Sequence, residues 1–213
     1  MLKNKKDICT VSLAILLPLI ISGCLSMKRT QYYVEQFVLD YKLPKKDYGN
    51  TIDTSVKFSR FSVAQVYNNN RMNYKMNHYK IDAYNNSRWR VNPGDLVGDY
   101  LLRDLRDSNI ISVVLSYRNP ENTRFAIEGG IEEFVEVFEE GRHYAVLWID
   151  LIIVDTLESE ITKKIIFHKK YQAKEPLQDH SAPAFAKAMS ISVAKVSEEF
   201  IKDIYSILKK KNL

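Results

Sequence analysis

Cysteine is almost missing from this chain: of 213 residues only Cys9 and Cys24 carry a thiol, both near the amino terminus. From residue 25 onward no disulfide and no cysteine-based metal site can form, so the body of the chain must be stabilised by packing alone. Catalytic signatures are missing as well. There is no Gly-x-x-x-x-Gly-Lys loop to cradle a nucleotide, no Gly-x-Ser-x-Gly elbow and no His-Glu-x-x-His pair. The four histidines, His78, His143, His168 and His180, fall in different predicted elements without ligand-like spacing, which predicts no metal site, no cofactor and no enzyme. No internal repeat is present. The formal charge of +5 is too modest to mark a nucleic-acid binder and suits mild attraction to anionic lipid headgroups.

What is present begins at the amino terminus. Lys3, Lys5 and Lys6 precede a stretch from Ile8 to Ile21 that is apolar apart from Thr10, Ser12 and Pro18, and Ser22-Gly23-Cys24 follows. This is the layout of a secretory signal peptide: a positive region, an apolar region of about 7–15 residues and small residues at the cut. The apolar stretch falls short of the roughly 20 residues that a membrane-crossing helix requires. A cysteine directly behind Ser22-Gly23 resembles the lipobox of bacterial lipoproteins. That resemblance implies cleavage between Gly23 and Cys24, acylation of the Cys24 thiol and of the new amino terminus, and therefore palmitate as a modification. Leu25 is not aspartate, which in the sorting rule of such lipoproteins implies the outer membrane, on its periplasmic face. A single acyl chain holds a protein only marginally, whereas two or more anchor it stably.

The expected organisation is a signal peptide over 1–23, a membrane tether over 24–30 and one domain over 31–213. Removal of Lys3, Lys5, Lys6 and Asp7 lowers the positive balance by two charges. Gln31 to Tyr41 alternates weakly and reads as a strand, and Lys42 to Thr54 as a loop. Val56 to Tyr67 reads as a second strand, and Met72 to Ala83 as two short pieces. Asn92-Pro93-Gly94-Asp95 is a helix start, with Asn92 as N-cap and Pro93 in the first turn. That helix runs to Asp107 on a stripe of Leu96, Val97, Tyr100, Leu101 and Leu105. Ile110 to Tyr117 is a strand. Arg124 to Glu139 and His143 to Asp155 form a long hairpin around Glu140-Gly141, with a bulge or bend at Gly129-Gly130. The second arm is apolar on both alternating sets except Asp150, which predicts a central strand covered on both faces. Glu160 to Ala173 alternates with lysines. A last helix runs from a Ser181 cap to Lys209 on Phe185, Met189, Val193, Val196, Phe200, Ile204 and Ile207, with Ala186, Ala188 and Ala194 permitting close approach. The fold class predicted is α+β: an antiparallel-dominated mixed sheet with two main helices, Pro93 to Asp107 and Ser181 to Lys209, in a single domain.

Together these segments resemble the ABC-type transport auxiliary lipoprotein family, the PqiC-like lipoproteins. The residues that carry the resemblance are the lipobox, Val56-Lys57-Phe58-Ser59-Arg60-Phe61-Ser62-Val63-Ala64, and Tyr84 followed by Arg88-Trp89. The Pro93 helix, Asn109-Ile110-Ile111-Ser112-Val113-Val114, Gly130-Ile131-Glu132-Glu133-Phe134 and Gly141-Arg142-His143-Tyr144-Ala145-Val146-Leu147 complete the set with the alanine-rich last helix. The turn before Trp89 departs from the family pattern in being rich in asparagine. The resemblance implies a non-catalytic outer-membrane component of a lipid or hydrophobic-compound transport system. Its expected partners are an MCE-domain protein, an ABC permease and ATPase, and membrane lipid through Cys24. A ring-forming homo-oligomer suits such a docking part, although no residue specifies a symmetry.

Two other readings stand beside it. One is a structural lipoprotein that assembles an outer-membrane β-barrel, of the lipopolysaccharide-assembly type, and the other is a secreted hydrolase, which lacks a nucleophile motif. Within the domain, Asp150 reads as a structural ion pair or as a position at the strand's exposed end before a functional charge. The acidic run Glu132, Glu133, Glu136, Glu139 and Glu140 faces Lys163, Lys164, Lys169 and Lys170 as a solvated sheet face before a partner contact. Trp89 is a candidate partner contact, set against packing under the Pro93 helix. Cys24→Ala is expected to abolish palmitate incorporation and outer-membrane fractionation together; retention of both on a sucrose gradient would rule out the lipobox.

Overall fold

The structure, a computed structural model, describes residues 33–211, and Gly23 and Cys24 lie outside that range. From Val34 onward the described residues form one compact unit, an α+β domain in which helices pack on a mixed sheet. The strands are β1 (Glu35–Phe37), β2 (Ile52–Phe58), β3 (Ser62–Val63), β4 (Arg71–Lys75), β5 (Ile81–Trp89), β6 (Ile111–Leu115), β7 (Phe125–Glu139), β8 (Arg142–Asp155) and β9 (Ile165–Pro176). The helices are α1 (Pro93–Asp107), the single turn α2 (Ile161–Lys164) and α3 (Ala182–Lys211). No described helix is long and apolar enough to cross a membrane.

Strand β7 is the hub. Along one edge it pairs antiparallel with the whole of β8, which pairs antiparallel with β9. Along its other edge it takes three short parallel partners in succession: β2 at Phe125–Ile127, β3 at Gly130–Ile131 and β4 at Glu136–Val137. The long ladders are thus antiparallel, and the short pairings gathered on β7 are parallel. The β7–β8 turn places Glu140 at φ 50° and Gly141 at φ 78°. Two successive positive φ values match the right-handed twist of a tight hairpin, which is why a glycine stands there.

One face of this sheet is covered by α1 and α3. Phe125, Ile127, Ile131 and Phe134 of β7, Ala145, Leu147, Ile149, Leu151 and Ile153 of β8, and Tyr171 of β9 are buried with the helix stripes in one core. The side chain of Asn92 accepts a hydrogen bond from the Gly94 amide at 2.9 Å, so α1 begins at the predicted cap. At the α3 cap, the Ser181 hydroxyl accepts from Ala184 N at 3.3 Å. The α3 stripe ends on Leu208 rather than Ile207, continuing the four-residue step from Phe200 through Ile204. Asp104 of α1 is buried, and it accepts from Ser197 of α3 and from Tyr41, each at 2.7 Å, so one carboxylate ties both helices to the segment after β1.

Several expectations are corrected. The first strand shrinks to Glu35–Phe37, which pairs parallel with β5. The predicted strand over 56–67 breaks after Phe58, because the chain turns to lay Phe61 into the core, and it ends in a 3₁₀ turn at Gln65–Tyr67. Residues 161–164, expected as strand, form the α2 turn. Strand β8 is central in the sheet but is fully covered on the helix side only. On the other side Val146 and Val154 are buried, whereas Trp148 remains 37% exposed.

Gly129 explains its own place: a Cβ there would come within 2.6 Å of the Phe61 ring, which itself stacks on Phe58 at 6.0 Å. Gly129→Ala is expected to lower stability by roughly 1–3 kcal/mol through overpacking. Phe61→Leu should recover part of that loss in the double variant, measured by urea unfolding as a non-additive pair. Strict additivity would show that the ring is not what fills the space.

Candidate functional site

The residues singled out from sequence fare differently in space. Trp89 has no exposed surface and sits between Phe134, ring centroids 5.2 Å apart, and Phe185, at 5.5 Å. It is a core side chain, not a surface one, because β5 ends beneath the start of α3. Asp150 is hydrogen-bonded to His168 Nε2 at 2.7 Å on the open side of the sheet, a structural pairing. Most of the acidic run is a cross-strand charge lattice: Glu132 with Lys170 at 2.6 Å, Glu133 with Lys75 at 3.1 Å, and Glu139 with Lys174. Lys169 turns the other way and binds Glu199 and Asp203 of α3 at 2.8 and 2.7 Å.

Glu136 leaves that lattice. The β7–β8 register shifts between Ile131 and Glu133, inserting one extra residue. Before this bulge, odd-numbered positions of β7 face the helices; after it, even-numbered ones do. Phe134 and Glu136 therefore point into the helix-covered side, while Val135 joins Val146 and Tyr67 in a separate small cluster on the opposite side. Ala145 lies directly across from Glu136, and His143 across from Phe138 on the same face.

The Glu136 carboxylate is completely buried, and three groups from three further elements converge on it. Tyr84 of β5 donates its hydroxyl to Oε2 at 2.6 Å. His180, just ahead of α3, places Nδ1 2.6 Å from Oε1, and His143 of β8 places its Nδ1 2.7 Å from the same oxygen. The His143 nitrogen is buried yet makes no aligned hydrogen bond, despite this proximity. The two imidazoles stack 4.6 Å apart with planes 23° from parallel, and Tyr74 meets the edge of His180 at 5.1 Å. Exposure grades outward, from 0% at Glu136 through 17% at His143 to 39% at His180. The histidines that look scattered in sequence are thus paired in space, because residues 143 and 180 are brought to one carboxylate by the hairpin and by the start of α3. Among the described residues, Glu136, His143 and His180 form a donor set for a cation, with ligand atoms all within 4.8 Å of one another.

Four phenols are held protonated by their surroundings. Burial first, and then the neighbouring carboxylate, pushes the pKa upward for Tyr41 beside Asp104, Tyr67 beside Glu133, Tyr84 beside Glu136 and Tyr171 beside Asp203. Each can therefore donate to its carboxylate across the neutral range.

No family model matches the chain, and no curated protein matches it. Solved structures do share its fold. A protein from Xanthomonas campestris assigned to the DUF330 family superposes with a TM-score of 0.74 at 12% identity, covering 83% of this chain and 98% of that one. An uncharacterised protein gives 0.60 at 12% identity, covering 80% and 99%. A hypothetical protein from Chlamydia trachomatis gives 0.52 at 8% identity, covering 73% and 98%. The architecture is therefore the α+β fold of the DUF330 protein, shared over almost the whole of each neighbour, and at these identities the likeness speaks to fold alone.

The raised phenols have a consequence at alkaline pH. In the unfolded chain tyrosine ionises near pH ~10, whereas these four stay protonated in the folded domain. The unfolded state then binds fewer protons, so stability is complete below about pH 10 and declines as pH rises beyond it. A spectrophotometric titration at high pH should show four phenols ionising only with loss of tertiary structure. Reversible ionisation of all tyrosines in the folded protein would contradict these environments.

Proposed function

We propose that this protein is an outer-membrane lipoprotein that acts as a non-catalytic auxiliary component of an ABC/MCE-type system moving lipids or other hydrophobic compounds across the envelope. The observation that carries the reading is a conjunction: a lipobox ending at Cys24 stands directly ahead of a domain with the DUF330 fold. That fold is consistent with the PqiC-like resemblance of the sequence. The motifs behind the resemblance also occupy structural positions throughout the domain. Phe58 and Phe61 are core residues, Trp89 anchors the end of β5 and Pro93 opens α1. The Gly130 and Gly141 segments lie in the two arms of the central hairpin.

In this role the acyl chains on Cys24 hold the domain at the inner leaflet of the outer membrane, and the tether over 24–30 lets it meet an MCE-domain protein whose permease and ATPase lie at the other membrane. The domain contributes position and a surface, and self-association into a ring suits the end of a conduit. Cross-linking in cells followed by tag purification from the outer membrane is expected to recover the MCE-domain protein and its permease in fixed proportion. Recovery of an outer-membrane β-barrel with no MCE protein would overturn the proposal in favour of the assembly-lipoprotein reading.

A further inference from the structure

The burial of Glu136 needs an explanation. A fully buried carboxylate is strongly unfavourable unless compensated, and its partners here are a neutral phenol and two imidazoles that stack on one another. We propose that Glu136, His143 and His180 form a binding site for a divalent transition-metal ion, zinc by its donor chemistry. Two imidazole nitrogens with one carboxylate oxygen are a zinc ligand set, whereas calcium takes six to eight oxygens and magnesium retains waters.

The geometry favours an ion over a hydrogen-bonded cluster in three respects. The two oxygens of Glu136 are divided in role: Tyr84, whose hydroxyl also lies 3.2 Å from His180 Nδ1, holds Oε2, and Oε1 takes the short contact with His180 Nδ1 and faces His143 Nδ1, as when an outer hydrogen bond orients a ligating carboxylate. His143 Nδ1 is buried and lies within reach of Oε1 without an aligned hydrogen bond, so this nitrogen keeps bonding capacity that a metal would use. A dication would also offset the charge of a carboxylate ligand that is wholly removed from solvent. Ligand atoms around a tetrahedral zinc stand about 3.3–3.4 Å apart, given Zn–N and Zn–O distances near 2.0–2.2 Å. The present Nδ1 to Oε1 separations of 2.6 and 2.7 Å therefore need to open by less than an ångström. His180 can supply that movement, since it is 39% exposed and stands ahead of α3 rather than within it. The same exposure gives the ion an entry path. Tyr74 packs on the outer edge of His180, and Asp179 adds negative charge nearby.

The test uses the mature acylated protein in detergent micelles, in which Cys24 is blocked as a competing thiol. After chelator treatment, calorimetric titration with zinc is expected to give one equivalent per chain and a raised unfolding temperature. Cobalt is expected to give visible bands of a four- or five-coordinate nitrogen–oxygen site. His180→Ala, at the half-exposed ligand, should abolish both signals while leaving the circular dichroism unchanged. Tyr84→Phe should weaken zinc about 10–100-fold, and His168→Ala, on the other face, should change nothing. Absence of saturable zinc binding, or binding that persists equally in His180→Ala, would overturn the proposal and leave the cluster as a proton-bridged pair. Neither result depends on the transport role.

Discussion

One extra residue in β7 sets the phase of everything that follows it. Without the bulge between Ile131 and Glu133, the alternation that buries Phe125, Ile127 and Ile131 would continue through Glu133, Val135 and Val137, and Phe134 would turn outward with Glu136. With it, Phe134 enters the core against Trp89, and Val135 moves to the second cluster with Val146 and Tyr67. Glu136 is carried beneath the start of α3. A slip of one residue exchanges the two faces of a strand entirely, so the bulge and the Glu140-Gly141 turn together fix which side chains the helices meet. Because β7 also collects β2, β3 and β4 along its far edge, its phase is inherited by most of the sheet.

The parts legible in sequence are those determined by local pattern. Helix α1 could be placed from Asn92-Pro93, and α3 from its three- and four-residue spacing, since capping and amphipathicity act within a few residues. The hairpin was legible from its length and its glycine. The fate of Trp89 was not, because a tryptophan at the end of a strand looks the same whether it meets a partner or the underside of a helix 96 positions later at Phe185. In sequence the acidic run reads as one solvated face, and Glu132, Glu133 and Glu139 conform to that. Glu136 departs from it only because the bulge changes parity midway, and the glycines at 129 and 130 hint at irregularity without locating it. The meeting of His143 with His180 depends on long-range placement that no spacing rule anticipates.

These features separate two kinds of specialisation in the domain. The sheet side away from the helices carries a paired charge lattice and the half-exposed Trp148. The helix side hides two carboxylates with different duties: Asp104 fastens α1, α3 and the segment after β1 through Tyr41 and Ser197, whereas Glu136 gathers β5, β8 and the start of α3. Both are satisfied in part by phenols kept protonated by burial first and then by the carboxylates they serve. Asp104 also has Arg103; Glu136 has only imidazoles and Tyr84, and that difference sets it apart as the site with unused ligand capacity.

The proposed role rests on location: the anchor matters because it places this fold at one membrane. The most direct measurement is to move the anchor while leaving the domain alone. Changing Leu25→Asp, with the lipobox intact, should retain the acylated protein in the inner membrane. The account predicts that the retained protein folds normally, as judged by its cooperative unfolding, yet no longer cross-links in cells to an MCE-domain partner. Undiminished cross-linking from the inner membrane would contradict it.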